Sequence, residues 1–138
     1  MTINENEYLP TGTTDDKKYR ALIIEDDFIT QKLHTALLQR LGFEVSLAST
    51  AKQALELANQ DYDLILLDVG LPDQTGDQLI KPLRAYPQHH NTTLFIVTSH
   101  FNESLKQECL AAGANAVLQK PLTLKKIQEN IKMFSCIT

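Results

Sequence analysis

Cysteine is scarce in this chain of 138 residues. Cys109 and Cys136 are the only two, and they share no metal-ligand spacing. A disulfide framework and a cysteine-built metal module are set aside, and free thiols in a cytoplasmic protein are expected. Long apolar runs are missing as well, since none approaches the ~20 residues of a membrane span. The start, Met1-Thr2-Ile3-Asn4-Glu5, has neither the basic residues nor the apolar stretch of a signal peptide. No direct membrane contact is expected. A basic excess is absent too: 13 Lys and Arg stand against 17 Asp and Glu, for a net charge of -4. With no basic stripe, nucleic acid is not an expected partner.

Apolar residues are plentiful, at 43% of the chain, which argues for a folded globule. The length suits one domain with a core of its own. Residues 1–19 are polar, contain Pro10 and Gly12 and show no period, so they read as a linker or N-terminal extension. The folded domain is expected over 20–136. From Tyr19 onward strand and helix patterns alternate. Strands are predicted at about 20–25, 43–48, 63–68, 94–97 and 115–119. The first helix spans about 28–41, with Ile29, Leu33, Ala36, Leu37 and Leu41 on its apolar face and Gly42 as its stop. A capping pattern from Thr50 to Gln53 starts the second helix, which carries Ala51, Ala54, Leu55 and Ala58 inward. The third follows Gly76 and is kinked or shortened by Pro82. The fourth covers about 102–112, ending at Gly113, and the fifth begins near Thr123 with Leu124, Ile127, Ile131 and Phe134 at helical spacing. Five such units imply an α/β fold, an open parallel sheet with helices on both faces.

Sheets of this kind bind ligands beyond the carboxyl ends of their strands. The chemistry-bearing residues fall there. Glu25-Asp26-Asp27 closes the first strand, Asp68 the third, Thr98 the fourth and Lys120-Pro121 the fifth. Each has a plainer use. Asp after a strand is a common turn residue, and carboxylates at a helix start complement its dipole, which accounts well for Asp27. Glu25 and Asp26 lie at the strand end itself, and carboxylates converging there repel one another unless a cation intervenes. Magnesium is the natural counter-ion. Lys120 precedes Pro121, which restricts its backbone and admits a cis bond that would aim its side chain.

Taken in order, Glu25-Asp26, the run Leu66-Leu67-Asp68-Val69-Gly70-Leu71-Pro72-Asp73, Gly76, Thr98-Ser99 and Lys120-Pro121 resemble the receiver domain of the two-component signalling family. The resemblance covers about residues 19–136 and implies the flavodoxin-like doubly wound (βα)5 fold with strand order 2-1-3-4-5. It makes Asp68 the phosphoacceptor, taking a phosphoryl group from a phosphohistidine. Asp26, Asp68 and the Gly70 backbone carbonyl would hold Mg2+, with Glu25 acting through water. Lys120 would pair with a phosphoryl oxygen and the Thr98 hydroxyl would report phosphorylation, with Ser99 leaving room for the phosphorus. The domain would catalyse its own phosphorylation without being a turnover enzyme.

Departures from the family pattern carry information. Val117 stands where many members have an aromatic ring, so an aromatic switch is absent. His100 occupies a position that tunes phosphoryl lifetime in the family. His34 lacks the acidic neighbour of a kinase histidine box, and His89-His90 has no further ligands at metal spacing. A phosphatase of the haloacid dehalogenase group would need an Asp at position 70, which is Gly. A flavodoxin-like cofactor binder would need a Ser/Thr-rich loop where Glu25-Asp26-Asp27 stands. With no output domain in the sequence, two receiver readings stay open: a stand-alone regulator, or the cytoplasmic receiver of a hybrid histidine kinase, itself membrane-bound. A pseudo-receiver acting only as an interaction module is the further alternative. The expected partner is a histidine kinase or histidine phosphotransfer domain docking near the first helix, with Gln31 and His34 on its exposed face.

Overall fold

The computed structural model describes residues 18–134. Ten elements alternate: β1 (Tyr19–Ile24), α1 (Phe28–Arg40), β2 (Phe43–Ala48), α2 (Ala51–Leu57), β3 (Leu64–Asp68), α3 (Gly76–Arg84), β4 (Thr93–Thr98), α4 (Glu103–Ala112), β5 (Ala116–Gln119) and α5 (Leu124–Phe134). A short 3-10 turn, Pro87–His89, precedes β4. The strands form one parallel sheet in the order β2-β1-β3-β4-β5, the flavodoxin-like arrangement expected. Residues 1–17 and 135–138, which include most of the proposed linker and Cys136, lie outside the described residues.

Alternation along each strand sends neighbouring side chains to opposite faces. Leu22, Ile24, Ile65, Leu67, Leu94 and Ile96 pack with Ala51 and Ala54 of α2 and with Leu79, Ile80 and Leu83 of α3. Ala21, Ile23, Leu64, Leu66, Phe95 and Val97 pack on the other side with Leu38 of α1 and Ile127 and Ile131 of α5. Both faces are covered, which is why these strands read as continuous apolar runs. Registry brings Ile24 level with Leu67, Asp68 with Val97 and Thr98 with Gln119, so the carboxyl ends of four strands meet at one edge.

Caps define the helix starts. Asp27 accepts the Thr30 amide at 2.8 Å for α1, Thr50 that of Gln53 at 3.0 Å for α2 and Asn102 that of Leu105 at 2.8 Å for α4. In α2 the return half of the box is displaced by one residue, because Gln53 Oε1 accepts from Ser49 N at 2.7 Å. Gly113 ends α4 with a φ of +122°, a conformation that favours glycine. Pro82 lies inside the nine-residue α3, which continues through it to Arg84.

Two histidines are not where the sequence reading put them. His89 is fully buried rather than a loop residue: its Nε2 donates to Ala58 O at 2.7 Å, and Nδ1 lies 3.0 Å from Thr92 Oγ1. The neighbouring Arg84 guanidinium donates to the carbonyls of Gly113, His89 and Thr92 and to Asn115 Oδ1, closing this end of the sheet. The larger correction concerns α1. Its inward residues are Gln31, His34 and Leu38; of the expected face Leu37 and Leu41 are half-buried against the core, whereas Ile29 and Leu33, with Phe28, are 75%, 42% and 65% exposed. Apolar residues occur on both sides of this helix, so periodicity alone does not choose the buried one. Gln31 decides it, by donating to Glu25 O and, at 3.1 Å, to Ser49 Oγ, which offsets the desolvation of its amide.

His34 has no such compensation. Its ring is 2% exposed and Nε2 has no hydrogen-bond partner. Burial pushes its imidazole down from 6.5 to about 4, the Lys120 charge adding to the shift and Asp68 opposing it. Between those values the unfolded chain binds a proton that the folded chain refuses. Stability therefore declines as pH falls from about 6.5 toward 4, by up to roughly 3 kcal/mol from this group. Urea unfolding at pH 7, 5.5 and 4 should show that His34→Leu removes this part of the acid dependence and is no less stable at pH 7. Parallel losses in wild type and variant would assign the acid sensitivity to other groups.

Candidate functional site

The strand ends assemble the site. β1 passes directly into Glu25, whose amide donates to Ala48 O at 2.9 Å, carrying the pairing with β2 one residue beyond the strand. This places the Glu25 carboxylate inward at 2% exposure, while Asp26 and Asp27 lie in the open turn. Asp27 serves as the α1 cap: the Thr30 hydroxyl at 2.6 Å and then its amide hold the carboxyl below the usual carboxylate range. Asp68, the last residue of β3, is buried at the mouth of the sheet. Carboxylate oxygens of Glu25, Asp26 and Asp68 lie within 4.8 Å of one another.

Lys120 reaches across from the end of β5. Its amide donates to Thr98 O at 2.8 Å, and its Nζ to Glu25 Oε1 at 2.8 Å and Asp68 Oδ1 at 3.1 Å. The Lys120-Pro121 peptide is cis. Lys120 is therefore a half-buried ion-paired residue, not the solvent-facing charge that a strand end alone suggests. Burial raises the Glu25 carboxyl above its usual range, and the Lys120 and Asp27 donors recover part of that shift. For Lys120 burial works downward, but the Glu25 hydrogen bond and the Asp68 and Glu25 charges outweigh it and hold the ammonium above its ordinary value.

Thr98 is buried at the end of β4, with its hydroxyl oxygen accepting the His100 amide at 3.0 Å. Asp26, Asp68, Gly70, Thr98 and Lys120 line one cleft of about 340 Å³, which Ser99 and the exposed His100 also border. A side chain at position 70 would start 3.7 Å from Asp68 Oδ2, so glycine leaves that side of the carboxylate open. Val117 is buried in the core between the sheet and α4. Sequence reasoning missed Gln31 and Asp73, which hold the surrounding loops. Their roles rest on contacts with Ser49 and α2, and nothing in residue type or spacing announces those contacts.

The donor set is all oxygen. Three carboxylates around one point suit a hard divalent cation and not a soft metal, which would call for thiolate or imidazole. A buried carboxylate open to solvent on one side, beside an ammonium, sets a negative oxygen and a positive charge side by side at the cleft mouth.

Comparison with known proteins agrees. The family model of the response regulator receiver domain matches residues 21–132. Two-component response regulator 24 of Arabidopsis thaliana is 35% identical over 114 residues, 81% of each chain. The aerobic respiration control sensor protein ArcB of Escherichia coli K12 is 37% identical over 115 residues, 82% of this chain but 15% of that one. Among solved structures, the receiver domain of sensor histidine kinase PA1611 from Pseudomonas aeruginosa, with a magnesium ion in its active site cleft, superposes with a TM-score of 0.77 at 28% identity. That match covers 86% of this chain and 98% of that one. The chain belongs to the response regulator receiver family, the phosphoacceptor domains of two-component signalling.

Proposed function

We propose that Asp68 accepts the phosphoryl group, that magnesium assists at Asp26, Asp68 and the Gly70 carbonyl with Glu25 acting through water, and that the partner docks on α1. The observation that carries this reading is the buried Asp68 carboxylate, 3.1 Å from Lys120 Nζ and grouped with Glu25 and Asp26 at the strand ends. An Asp68 oxygen bonds to phosphorus as the P–N bond of the phosphohistidine breaks, and the departing imidazole takes up a proton. A bound magnesium ion supplies positive charge for the phosphoryl oxygens. Lys120 leaves Asp68 Oδ1 to meet a phosphoryl oxygen while remaining paired with Glu25. The Thr98 hydroxyl, at the same edge, donates to another oxygen and carries the change to the loop after β4, whose His100 amide it accepts.

The corrected orientation of α1 supports the docking reading and changes its residues. Gln31 and His34 are buried and cannot contact a partner. Phe28, Ile29 and Leu33 on α1 are exposed, starting directly after the Asp27 cap, and Phe28 shares a surface groove with Leu47 of β2. Lys32 Nζ lies over the Phe28 ring, 4.8 Å from its centre. Such a patch beside a charged cleft suits a partner that buries apolar surface while presenting a histidine to Asp68. Val117 offers no ring to swing inward, which favours a relay through the active-site face. The likeness to the receiver domain of sensor histidine kinase PA1611 supports origin in a hybrid histidine kinase. The stand-alone reading is supported by the chain spanning 81% of the Arabidopsis regulator.

Acetyl phosphate with magnesium should add one phosphoryl group, detected by intact mass. Asp68→Asn should abolish it; undiminished labelling in that variant would refute the acceptor, and no labelling of wild type would favour the pseudo-receiver.

Magnesium titration should rank the metal ligands. Asp26→Ala should bind at least about tenfold more weakly, and Glu25→Ala, altering an outer contact, should lose less. Equal affinity of Asp26→Ala and wild type would contradict the assignment.

For docking, Ile29→Ala with Leu33→Ala should slow transfer from a phosphorylated histidine phosphotransfer domain that labels the wild type. A loss of about tenfold is expected, as for central apolar contacts of an interface. Labelling by acetyl phosphate should be unchanged. If changes at Val117 blocked transfer and these did not, a surface around β5 would replace α1.

A further inference from the structure

Asp73 lies three residues beyond Gly70, in the loop between β3 and α3, and turns away from the cleft. Its Oδ1 accepts the Ala51 amide at 2.8 Å and its Oδ2 the Lys52 amide at 3.0 Å. A single carboxylate therefore takes the first two amides of α2, a helix that already has its own cap in Thr50. Those amides would otherwise be met by water, so the contact ties the β3–α3 loop to a different element. Leu71, between Gly70 and Asp73, is buried in the core with Ala51 and Ala54. The loop is thus anchored twice to α2, once by an apolar side chain and once by a charge.

The connection continues around the site. Ser49, just ahead of α2, bonds Gln53 through its amide and receives Gln31 Nε2 on its hydroxyl at 3.1 Å. Gln31 also donates to Glu25 O. An unbroken set of contacts runs from the Glu25-Asp26 turn through Gln31, Ser49 and the start of α2 to Asp73 and the loop carrying Gly70. The turn between β2 and α2 contributes no group to the cleft, yet it and the start of α2 are bonded to two of the loops that do.

We infer that Asp73 is a positioning residue for cation binding: by clamping the β3–α3 loop to α2 it sets the Gly70 carbonyl relative to Asp26 and Asp68. This rests on reading the carboxylate cluster as a magnesium site. A magnesium ion tolerates little variation in ligand placement, so a loop free to drift weakens binding without loss of any ligand.

The test is calorimetric titration with magnesium chloride. Asp73→Ala should bind about five- to tenfold more weakly than wild type, within the range of outer-shell effects. Asp73→Asn keeps one oxygen acceptor and should fall between them. Asp63→Ala serves as the control, because Asp63 Oδ2 accepts the Arg20 amide at 2.8 Å near the start of β1, at the other end of that strand from Glu25. It should lower stability in urea while leaving magnesium affinity unchanged. Wild-type affinity in Asp73→Ala would overturn the inference, and so would an equal loss in Asp63→Ala, which would show a general effect of stability. A wild-type chain that takes up no magnesium would overturn the metal assignment itself and, with it, this inference.

Discussion

The contact between Lys120 Nζ and the carboxylates of Glu25 and Asp68 is the interaction on which the site depends. Glu25 is held inward by continuation of the β1–β2 pairing, and Asp68 by the end of β3, so neither can move away from the other without breaking the sheet edge. Two such groups in a partly desolvated cleft repel each other, and burial alone raises Glu25. The ammonium makes their coexistence possible. Removing one member of a buried pair commonly costs roughly 3–5 kcal/mol, because the remaining charge stays desolvated. Three carboxylates against one ammonium still leave an excess of two negative charges, which a divalent cation balances.

Polar contacts tie the loops around this centre to one another, and the β3–α3 loop also buries Leu71. Gln31 is buried to bond the Glu25 carbonyl, and with that orientation of α1 Phe28, Ile29 and Leu33 face outward while Leu38 packs inward. Stability and recognition are linked through it. The helix leaves His34 with an unmet ring nitrogen, while Phe28, Ile29 and Leu33 remain exposed. The opposite end of the sheet is also closed by polar contacts, where Arg84 and His89 satisfy several carbonyls.

Most of the fold was legible because parallel strands buried on both faces are written as apolar runs, and each run here ends in a residue of distinct chemistry. Ile24 leads to Glu25, Leu67 to Asp68, Val97 to Thr98, and Gln119 to Lys120. Strand ends in such a sheet converge whatever the helices do, so the cleft and its members follow from order along the chain. Helix caps were legible in the same local way, as with Thr50 and Gln53. The face of α1 was not, because apolar residues lie on both of its sides and the choice depends on Ser49 and Glu25, which belong to other elements. His89 was misplaced for the same reason, since Ala58 supplies its acceptor from 31 positions away.

The sequence by itself thus determined the alternation of elements, the membership of the acidic cleft and the absence of an aromatic on β5. These are properties of single segments, set by side-chain volume, backbone preference and the period of burial. Tertiary structure alone decided that Lys120 joins Glu25 to Asp68, that α1 shows its apolar side to solvent and that Asp73 holds the start of α2. Each of these is a hydrogen bond or ion pair between residues distant along the chain. Its worth depends on a few tenths of an ångström and on how much water is excluded, quantities that exist only once the sheet has brought the partners together.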